Sequence, residues 1–156
     1  VQAPFTVVVD YAHTPDALDN ALRTARAVTQ GRLAVLFGCG GDRDRGKRPQ
    51  MGAIAARLAD VTVLTSDNPR SEDPAQIVED VARGMPQGKP VRILARPEAV
   101  RWILDQAQPG DFILLAGKGS EPYQELAGQK VPMDDRELAR AWARARGLGV
   151  RNAPAN

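Results

Sequence analysis

The sequence predicts a three-layer α/β fold, in which a mostly parallel sheet of about five or six strands lies between helices on both faces. Short apolar runs alternate with longer amphipathic segments along the chain. The short runs lack the alternation of a half-exposed strand, as is typical of strands buried on both faces. Of the 156 residues, 43% are hydrophobic but only 4% are aromatic. This length and composition indicate one globular domain with an aliphatic core.

Five short runs are predicted to be the strands of the sheet. The first, FTVVVDY, is rich in β-branched residues, and the others are similarly apolar. The five runs cover residues 5–11, 32–38, 61–66, 91–95 and 111–116. QKVPM, at residues 129–133, is a candidate for a short extra strand. Because each strand is followed by a helical segment, the pattern predicts a Rossmann-like arrangement with a parallel sheet.

Capping residues and prolines mark where the predicted helices begin. Thr14 is a candidate N-cap with Pro15 at the first helical position. Asp73, before Pro74, caps the third helix, Pro97 begins the fourth, and Asp134 or Asp135 caps the last. The predicted helices cover residues 15–29, 49–58, 74–84, 97–107 and 135–146.

The chain is predicted to form one domain over residues 1–150, followed by a frayed tail at 151–156. Its 21 basic and 19 acidic residues nearly balance, which argues against nucleic acid as the main partner. No apolar run approaches the ~20 residues of a membrane span, and the N-terminus lacks the basic region of a signal peptide. The single cysteine, Cys39, allows no internal disulfide. We therefore expect a cytoplasmic protein with no membrane or nucleic-acid partner.

The loop after the second strand, GCGGDRDRGKRP, has an unusual charge pattern at the edge where parallel sheets bind ligands. Its glycines and Lys47 have the spacing of a phosphate-binding P-loop, but Arg48 stands where that motif has Ser or Thr. An arginine cannot ligate Mg²⁺, and the two aspartates of the loop would repel a triphosphate. The loop therefore suits a smaller anion, held for example by Arg43, or else it is a solvated turn before a helix, which Arg48 begins.

The loop after the third strand, SDNPRSED, presents an arginine at the same edge. Asn68 precedes Pro69 and is held extended, so the strand ends in a stiff turn. Arg70 then projects with Asp67 beside it. A proline turn and helix cap would explain the neighbouring residues but not Arg70, whose fork suits bidentate binding of a carboxylate.

The loop after the fifth strand, AGKGSEPYQ, combines glycines with an acid. Gly117 and Gly119 allow the backbone to approach a ligand closely. Glu121 is either a surface acid or an acceptor for an ammonium group. Arginines for a carboxylate and acids for an ammonium group at one sheet edge suit a zwitterionic amino acid better than a nucleotide.

The remaining loop, DYAHTPD, contains the only histidine, His13. A lone histidine cannot build a Zn²⁺ site, and no serine lies in a G-x-S-x-G elbow. Cys39 has only the distant His13 as a possible base, so we interpret it as a small packing residue. Hydrolase chemistry is therefore not expected.

Taken in order, DYAHTPDAL, GCGGDRDRGKRP, DNPR and GKGSEPYQ resemble the C-terminal domain of the Mur ligases, and within that family the MurE type. The resemblance extends from about Val7 to the last helix. It implies a three-domain enzyme whose N-terminal domain binds the UDP-sugar. The central domain of the family carries the true P-loop and a carbamylated lysine that helps to bind Mg²⁺. Neither is found in these 156 residues, so the resemblance implies no catalytic or metal-binding residue here and an inactive isolated domain.

The implied reaction is ATP-dependent amide formation in peptidoglycan synthesis, in which meso-diaminopimelate is added to UDP-MurNAc-L-Ala-D-Glu. DNPR is the motif by which the family recognises meso-diaminopimelate. Asp10 and His13 correspond to positions where the domain meets ATP. The implied diaminopimelate site comprises Arg43, Asp67, Asn68, Pro69, Arg70, Gly117 and Glu121.

Three alternatives stay open at the level of sequence. Family members that use diaminopimelate commonly have GKGHE where this chain has Ser120 in place of the histidine, so lysine or ornithine is an alternative substrate. Another ligase of the superfamily, such as MurF or a folylpolyglutamate synthase, is a second alternative, against which the DNPR motif argues. The third is a free-standing, non-catalytic module that binds an anion or an amino acid.

Overall fold

A five-stranded parallel sheet forms the centre of the computed structural model, which describes residues 4–150. The strands are β1 (Thr6–Asp10), β2 (Leu33–Phe37), β3 (Val61–Leu64), β4 (Val91–Arg92) and β5 (Phe112–Ala116). Their spatial order is β1-β5-β2-β3-β4, and every neighbouring pair is parallel. The central strands β2 and β5 are buried along their whole length because helices cover both faces.

Helices form the two outer layers. They are α1 (Pro15–Val28), α2 (Lys47–Leu58), α3 (Pro74–Ala82), α4 (Arg96–Asp105) and α5 (Asp135–Ala145). Neighbouring helices α1, α2 and α3 pack on one face of the sheet, and α4 and α5 pack on the other. An aliphatic core cluster lies on each face. The predicted three-layer, Rossmann-like fold is confirmed.

The predicted first residues of the helices are confirmed where a side chain caps the first turn. Thr14, Asp73 and Asp134 each accept a hydrogen bond from a backbone N–H of the following turn. Helix α2 instead begins at Lys47, ahead of the expected residue 49, and has no side-chain cap. Pro49 thus lies inside the first turn, where its missing N–H costs no helical hydrogen bond.

The segment after β5 forms a hairpin outside the main sheet. Strands β6 (Tyr123–Leu126) and β7 (Gln129–Pro132) pair antiparallel. β7 confirms the short extra strand expected there, whereas β6 falls in residues that were expected to be a glycine-rich loop. The hairpin is joined to the loop after β3, because the N–H of Arg70 donates to the carbonyl of Glu125 at 3.0 Å.

None of the helices within residues 4–150 is long and apolar enough to cross a membrane. The tail at 151–156, expected to be frayed, lies outside the described residues, as do residues 1–3. The domain boundary at residue 150 stays a prediction.

Candidate functional site

Four of the five strand-end loops meet at the carboxyl edge of the sheet. β1, β5, β2 and β3 are successive neighbours, so the loops that follow them are adjacent. These are the four loops that carry the unusual charges in the sequence. β4 lies beyond β3 at one edge of the sheet, so the loop that follows it is not between the four site loops. The strand order thus brings the candidate residues into one region.

The loops after β2 and β3 are in direct contact. Gly41 N–H donates to the carbonyl of Asn68 at 2.8 Å. A Cβ atom on Gly41 would lie only 1.9 Å from the carbonyl oxygen of Pro69, so this approach requires glycine. Ser71 Oγ donates to the carboxylate of Asp42 at 2.6 Å, which joins the same two loops further out. The glycine that resembled a P-loop position therefore serves loop–loop packing.

Arg70 is held from several directions. Its backbone is left-handed, with φ of 51°, and its carbonyl accepts from Ala127 N–H at 3.2 Å. Nε lies 2.7 Å from Glu125 Oε2, and Nη1 donates to the carbonyl of Gly41 at 2.9 Å. The side chain is 24% exposed, so the guanidinium is fixed in place yet reaches solvent. Within residues 4–150 no hydrogen bond involves Nη2, so this nitrogen is available to a ligand.

Arg43 lies beside Arg70 on the neighbouring loop. A Cβ atom on Gly40 would lie 2.9 Å from Arg70 Nη1 and 3.6 Å from Arg43 Cγ, so the two arginines flank that glycine. Arg43 is exposed, and its Nη1 donates to the carbonyl of Asp42 at 2.9 Å. These two arginines, on neighbouring loops, form the positive side of the candidate site.

The negative side of the site contains a lysine that the sequence interpretation left out. Lys118 Nζ lies 2.8 Å from Asn68 Oδ1, 3.0 Å from Glu121 Oε1 and 3.4 Å from Asp67 Oδ1. We call these four residues the Lys118 cluster. The side chain of Lys118 is fully buried, whereas that of Glu121 is 25% exposed. Asp67 and Glu121 therefore come together as predicted, but around an internal ammonium group.

The side-chain amide of Asn68 has a defined orientation. Its Oδ1 accepts from Lys118 Nζ and from the backbone N–H of Glu125 at 2.9 Å. Both partners can only donate, so the oxygen must face them. Nδ2 is then directed the other way, with a contact of 3.5 Å to Glu121 Oε1. Asn68 thus presents a donor, which suits a ligand carboxylate.

Gly117 joins this region to the end of β1. Its φ of 109° requires glycine, and a Cβ atom there would lie 2.9 Å from Asp67 Oδ2. The carbonyl of Asp10 accepts from the N–H groups of Gly117 and Gly119, at 3.0 and 3.2 Å. Asp10 is therefore adjacent to the acidic side of the site.

His13 is exposed at the rim, next to the start of α2. Its Nδ1 lies 2.8 Å from the carbonyl of Tyr11 and must donate to it, so Nε2 faces outwards. Lys47 Nζ donates to the carbonyl of His13 at 3.1 Å. The Tyr11 ring, 55% exposed, meets the His13 ring edge-on at 4.6 Å between centroids.

Arg48 has a structural role that agrees with its expected place at the start of a helix. It is fully buried, and its guanidinium bonds to Glu72 at 2.7 Å, to Asp80 at 3.0 Å and to the carbonyl of Gly40 at 3.0 Å. Hydrogen bonding from Arg48 lowers the pKa of Glu72 to about 2. The ion cluster fastens the loop after β2 to α3.

A second buried arginine behind the site had no signal in the sequence. Arg96, at the start of α4, pairs with Asp135 through two hydrogen bonds of 2.9 and 2.7 Å. It also donates to the carbonyls of Ser66 and Ala116, at 3.0 and 3.1 Å. These carbonyls lie at the ends of β3 and β5, so Arg96 fixes both strand ends where the site begins.

Cys39 is buried in the core beside Met51, with 3.7 Å between the two sulfur atoms. Burial raises the pKa of its thiol to about 12. The interpretation of Cys39 as a packing residue agrees with this environment.

Residues 1–119 match the family described as "Mur ligase, glutamate ligase domain". The chain belongs to the Mur ligase family. Two curated relatives bear the name UDP-N-acetylmuramoyl-L-alanyl-D-glutamate--2,6-diaminopimelate ligase. The protein of Synechococcus elongatus is 60% identical over 136 residues, and that of Geobacillus kaustophilus is 52% identical over 145 residues.

This Mur ligase chain covers only part of those relatives. The alignments include 86% and 92% of the chain but 27% and 30% of the Synechococcus and Geobacillus proteins. A solved structure of a ligase with the same name superimposes with a TM-score of 0.88 at 44% identity, over 96% of this chain and 31% of that one. A Haemophilus ducreyi domain, described as part of a putative UDP-N-acetylmuramate:L-alanyl-gamma-D-glutamyl-meso-diaminopimelate ligase, is 20% identical with a TM-score of 0.57 over 90% of both chains and shares the fold.

Proposed function

We propose that this chain is the C-terminal, amino-acid-binding domain of an ATP-dependent ligase that joins meso-diaminopimelate to UDP-MurNAc-L-Ala-D-Glu in the cytoplasm, during peptidoglycan synthesis. The observation that carries the proposal is that two donors, Arg70 and Asn68, and two acceptors, Asp67 and Glu121, lie at one sheet edge. The name of the relative that is 60% identical supports it.

The site is suited to the far end of meso-diaminopimelate, which carries its own carboxylate and ammonium group. The carboxylate would bind Arg70 Nη2 and Asn68 Nδ2, with Arg43 and Pro69 completing that side. The ammonium group would bind Glu121 and Asp67, beside the close backbone of Gly117. The other amino group then points out of the site, where it can attack an activated carboxylate. Holding the reacting amine in this way makes its attack on the activated carboxylate effectively unimolecular.

The nucleotide is proposed to meet this domain at its rim. His13 Nε2 faces outwards and Lys47 lies within 3.1 Å of the His13 carbonyl, which fits an approaching phosphate. Asp10 is adjacent through Gly117 and Gly119. ATP, when bound, supplies the phosphoryl group that activates the acceptor carboxylate. The resemblance to the family implies that Mg²⁺ is held by the central domain, and we assign it to that part of the enzyme.

Lysine or ornithine is the second candidate for the amino acid, because Ser120 departs from the GKGHE pattern and is exposed at the rim. Both lack the carboxylate that distinguishes meso-diaminopimelate. A site whose polar groups are built for one substrate group can reject an analogue lacking it by up to about 10⁴-fold. Competition among the three amino acids in a ligation assay distinguishes these candidates. Preference for ornithine or lysine would overturn the substrate assignment and leave the ligase assignment intact.

The test of the proposal is Arg70→Ala in the full-length ligase that contains this chain. We expect the KM for meso-diaminopimelate to rise at least about tenfold, because the variant leaves its far carboxylate without its charged partner. The KM for ATP should change less than about twofold. Initial rates of amide formation, with each substrate varied in turn, give both values.

Arg23→Ala is the matched control, since Arg23 is an exposed arginine on α1 paired only with Asp19 in the adjacent turn. It should leave both KM values unchanged. Equal KM for meso-diaminopimelate in wild type and Arg70→Ala would contradict the assigned role of Arg70. The 156-residue chain alone is expected to form no amide bond with ATP present.

A further inference from the structure

The Lys118 cluster already contains an ammonium group. Lys118 is fully buried, and its three N–H donors match three acceptors, on Asn68, Glu121 and Asp67. A ligand cannot reach Lys118 directly, because these three side chains lie around it. The ammonium group of Lys118 faces the same two carboxylates, of Asp67 and Glu121, that the proposed site offers to a substrate. Any influence of Lys118 on a ligand must therefore pass through Asp67, Asn68 and Glu121.

The charge of the site depends on this lysine. The residues proposed to line the amino-acid site, taken together with their ion-pair partners Lys118 and Glu125, are three cations and three anions, so their formal charges cancel. They are Arg43, Arg70, Lys118, Asp67, Glu121 and Glu125. Without Lys118 the same lining would carry one net negative charge. A lining of zero net charge favours a ligand of zero net charge, whereas a negative lining favours a cation.

We propose that Lys118 is a positioning residue that sets the amino-acid specificity of the ligase. Its ammonium group balances Asp67 and Glu121, so the site prefers a diamino acid with two carboxylates, which has no net charge, to one with a single carboxylate, which is a net cation. This inference rests on the proposed function. It assigns the choice between meso-diaminopimelate and lysine to a residue behind the site as well as to Arg70.

Lys118 also maintains the orientation of the Asn68 amide. It supplies one of the two donors that hold Oδ1, the other being the backbone N–H of Glu125. With Oδ1 held, Nδ2 remains available to a ligand carboxylate. Loss of Lys118 would remove one of these donors and weaken selection of the second carboxylate. The charge effect and the orientation effect thus act in the same direction.

The experiment compares Lys118→Met with wild type in the full-length ligase. Initial rates are measured with meso-diaminopimelate and with L-lysine, at saturating ATP and UDP-MurNAc-L-Ala-D-Glu. We expect the ratio of kcat/KM for lysine to kcat/KM for meso-diaminopimelate to rise at least about tenfold, as for the loss of one nearby unit charge in a partly screened site. Lys89→Met, at an exposed lysine before β4, should leave the ratio unchanged.

A second variant changes the net charge of the site in the opposite direction. Glu121→Gln makes the lining one charge more positive, so the lysine ratio should fall, and the double variant Lys118→Met/Glu121→Gln should return towards wild type. A purely structural role for Lys118 would lower both kcat/KM values together without changing their ratio, and that result would overturn the inference. If Lys118→Met fails to fold, a rise in the lysine ratio in Glu121→Gln overturns it instead. Failure of wild type to add meso-diaminopimelate would refute the proposed function itself.

Discussion

Arg96→Met is expected to lower the free energy of unfolding by about 3–5 kcal/mol and to loosen two strand ends at the site. Arg96 and Asp135 are both 0% exposed and lie 2.7 Å apart. Arg96 also donates to the carbonyls of Ser66 and Ala116. One side chain therefore joins α4, α5, β3 and β5.

The magnitude follows from what the substitution leaves behind. Burial opposes the charge on Arg96, but hydrogen bonding to Asp135 outweighs it and raises the pKa of the guanidinium, so Arg96 is a cation at neutral pH. Removing the cation leaves a buried carboxylate without a partner, and this typically costs 3–5 kcal/mol. A domain of about 150 residues loses about 2–4 °C in Tm for each kcal/mol. We therefore expect Tm to fall by about 6–20 °C.

Thermal and urea unfolding, followed by circular dichroism, measure the effect. Arg101→Met, at an exposed arginine on the same helix, is the control and should change stability by less than about 0.5 kcal/mol. The double variant Arg96→Met/Asp135→Leu should recover most of the loss, because apolar residues often replace a buried pair without cost. Wild-type stability in Arg96→Met, or no recovery in the double variant, would refute the reasoning.

Two further predictions concern pH and thiol chemistry. The pKa of Glu72 is about 2 in the folded protein against an ordinary 4.5, so its stabilisation is complete above about pH 4.5 and is lost as the pH falls towards 2. Between pH 7 and pH 3 the urea midpoint of Glu72→Gln should therefore fall less than that of wild type, whereas the exposed-site control Glu137→Gln should behave like wild type. Cys39 should react with Ellman's reagent at pH 8 only after unfolding, since burial raises the pKa of its thiol to about 12. Equal rates for folded and unfolded protein would contradict its assignment to the core.

The sequence was sufficient to predict the sheet, the helices and the loops that meet at its edge. Local signals account for this success: buried strands are continuous apolar runs, and Thr14, Asp73 and Asp134 are recognisable caps. Helix α2 was placed too late because its first turn is charged and uncapped, so neither signal marks Lys47. The contacts between residues of different loops were predicted only in part, because they depend on the order of the strands in the sheet.

The hairpin and the buried cations were missed for a physical reason. β6 is stabilised by contacts distant in sequence, such as Gln124 Nε2 donating to the carbonyl of Asp67 at 2.8 Å, and its sequence, YQEL, has little strand character. Glu125 consequently could not be paired with Arg70 beforehand. Lys118 was visible in GKGSE, but a lysine in a loop is ordinarily exposed, and only the fold shows that this one is fully buried.

Three cations are among the largest fully buried side chains of the described residues, namely Arg48, Arg96 and Lys118. Apolar side chains of similar volume often stabilise a protein as well as buried ion pairs do, so stability alone does not account for them. Each cation instead holds oxygen atoms at the end of a strand: Arg48 after β2, Arg96 at β3 and β5, and Lys118 within the acidic side of the site. A carboxylate or amide that must meet a zwitterion in one orientation needs a fixed partner on its other side. The cations behind the loops supply that partner, and Arg43 and Arg70 in front are the groups that we propose a ligand meets.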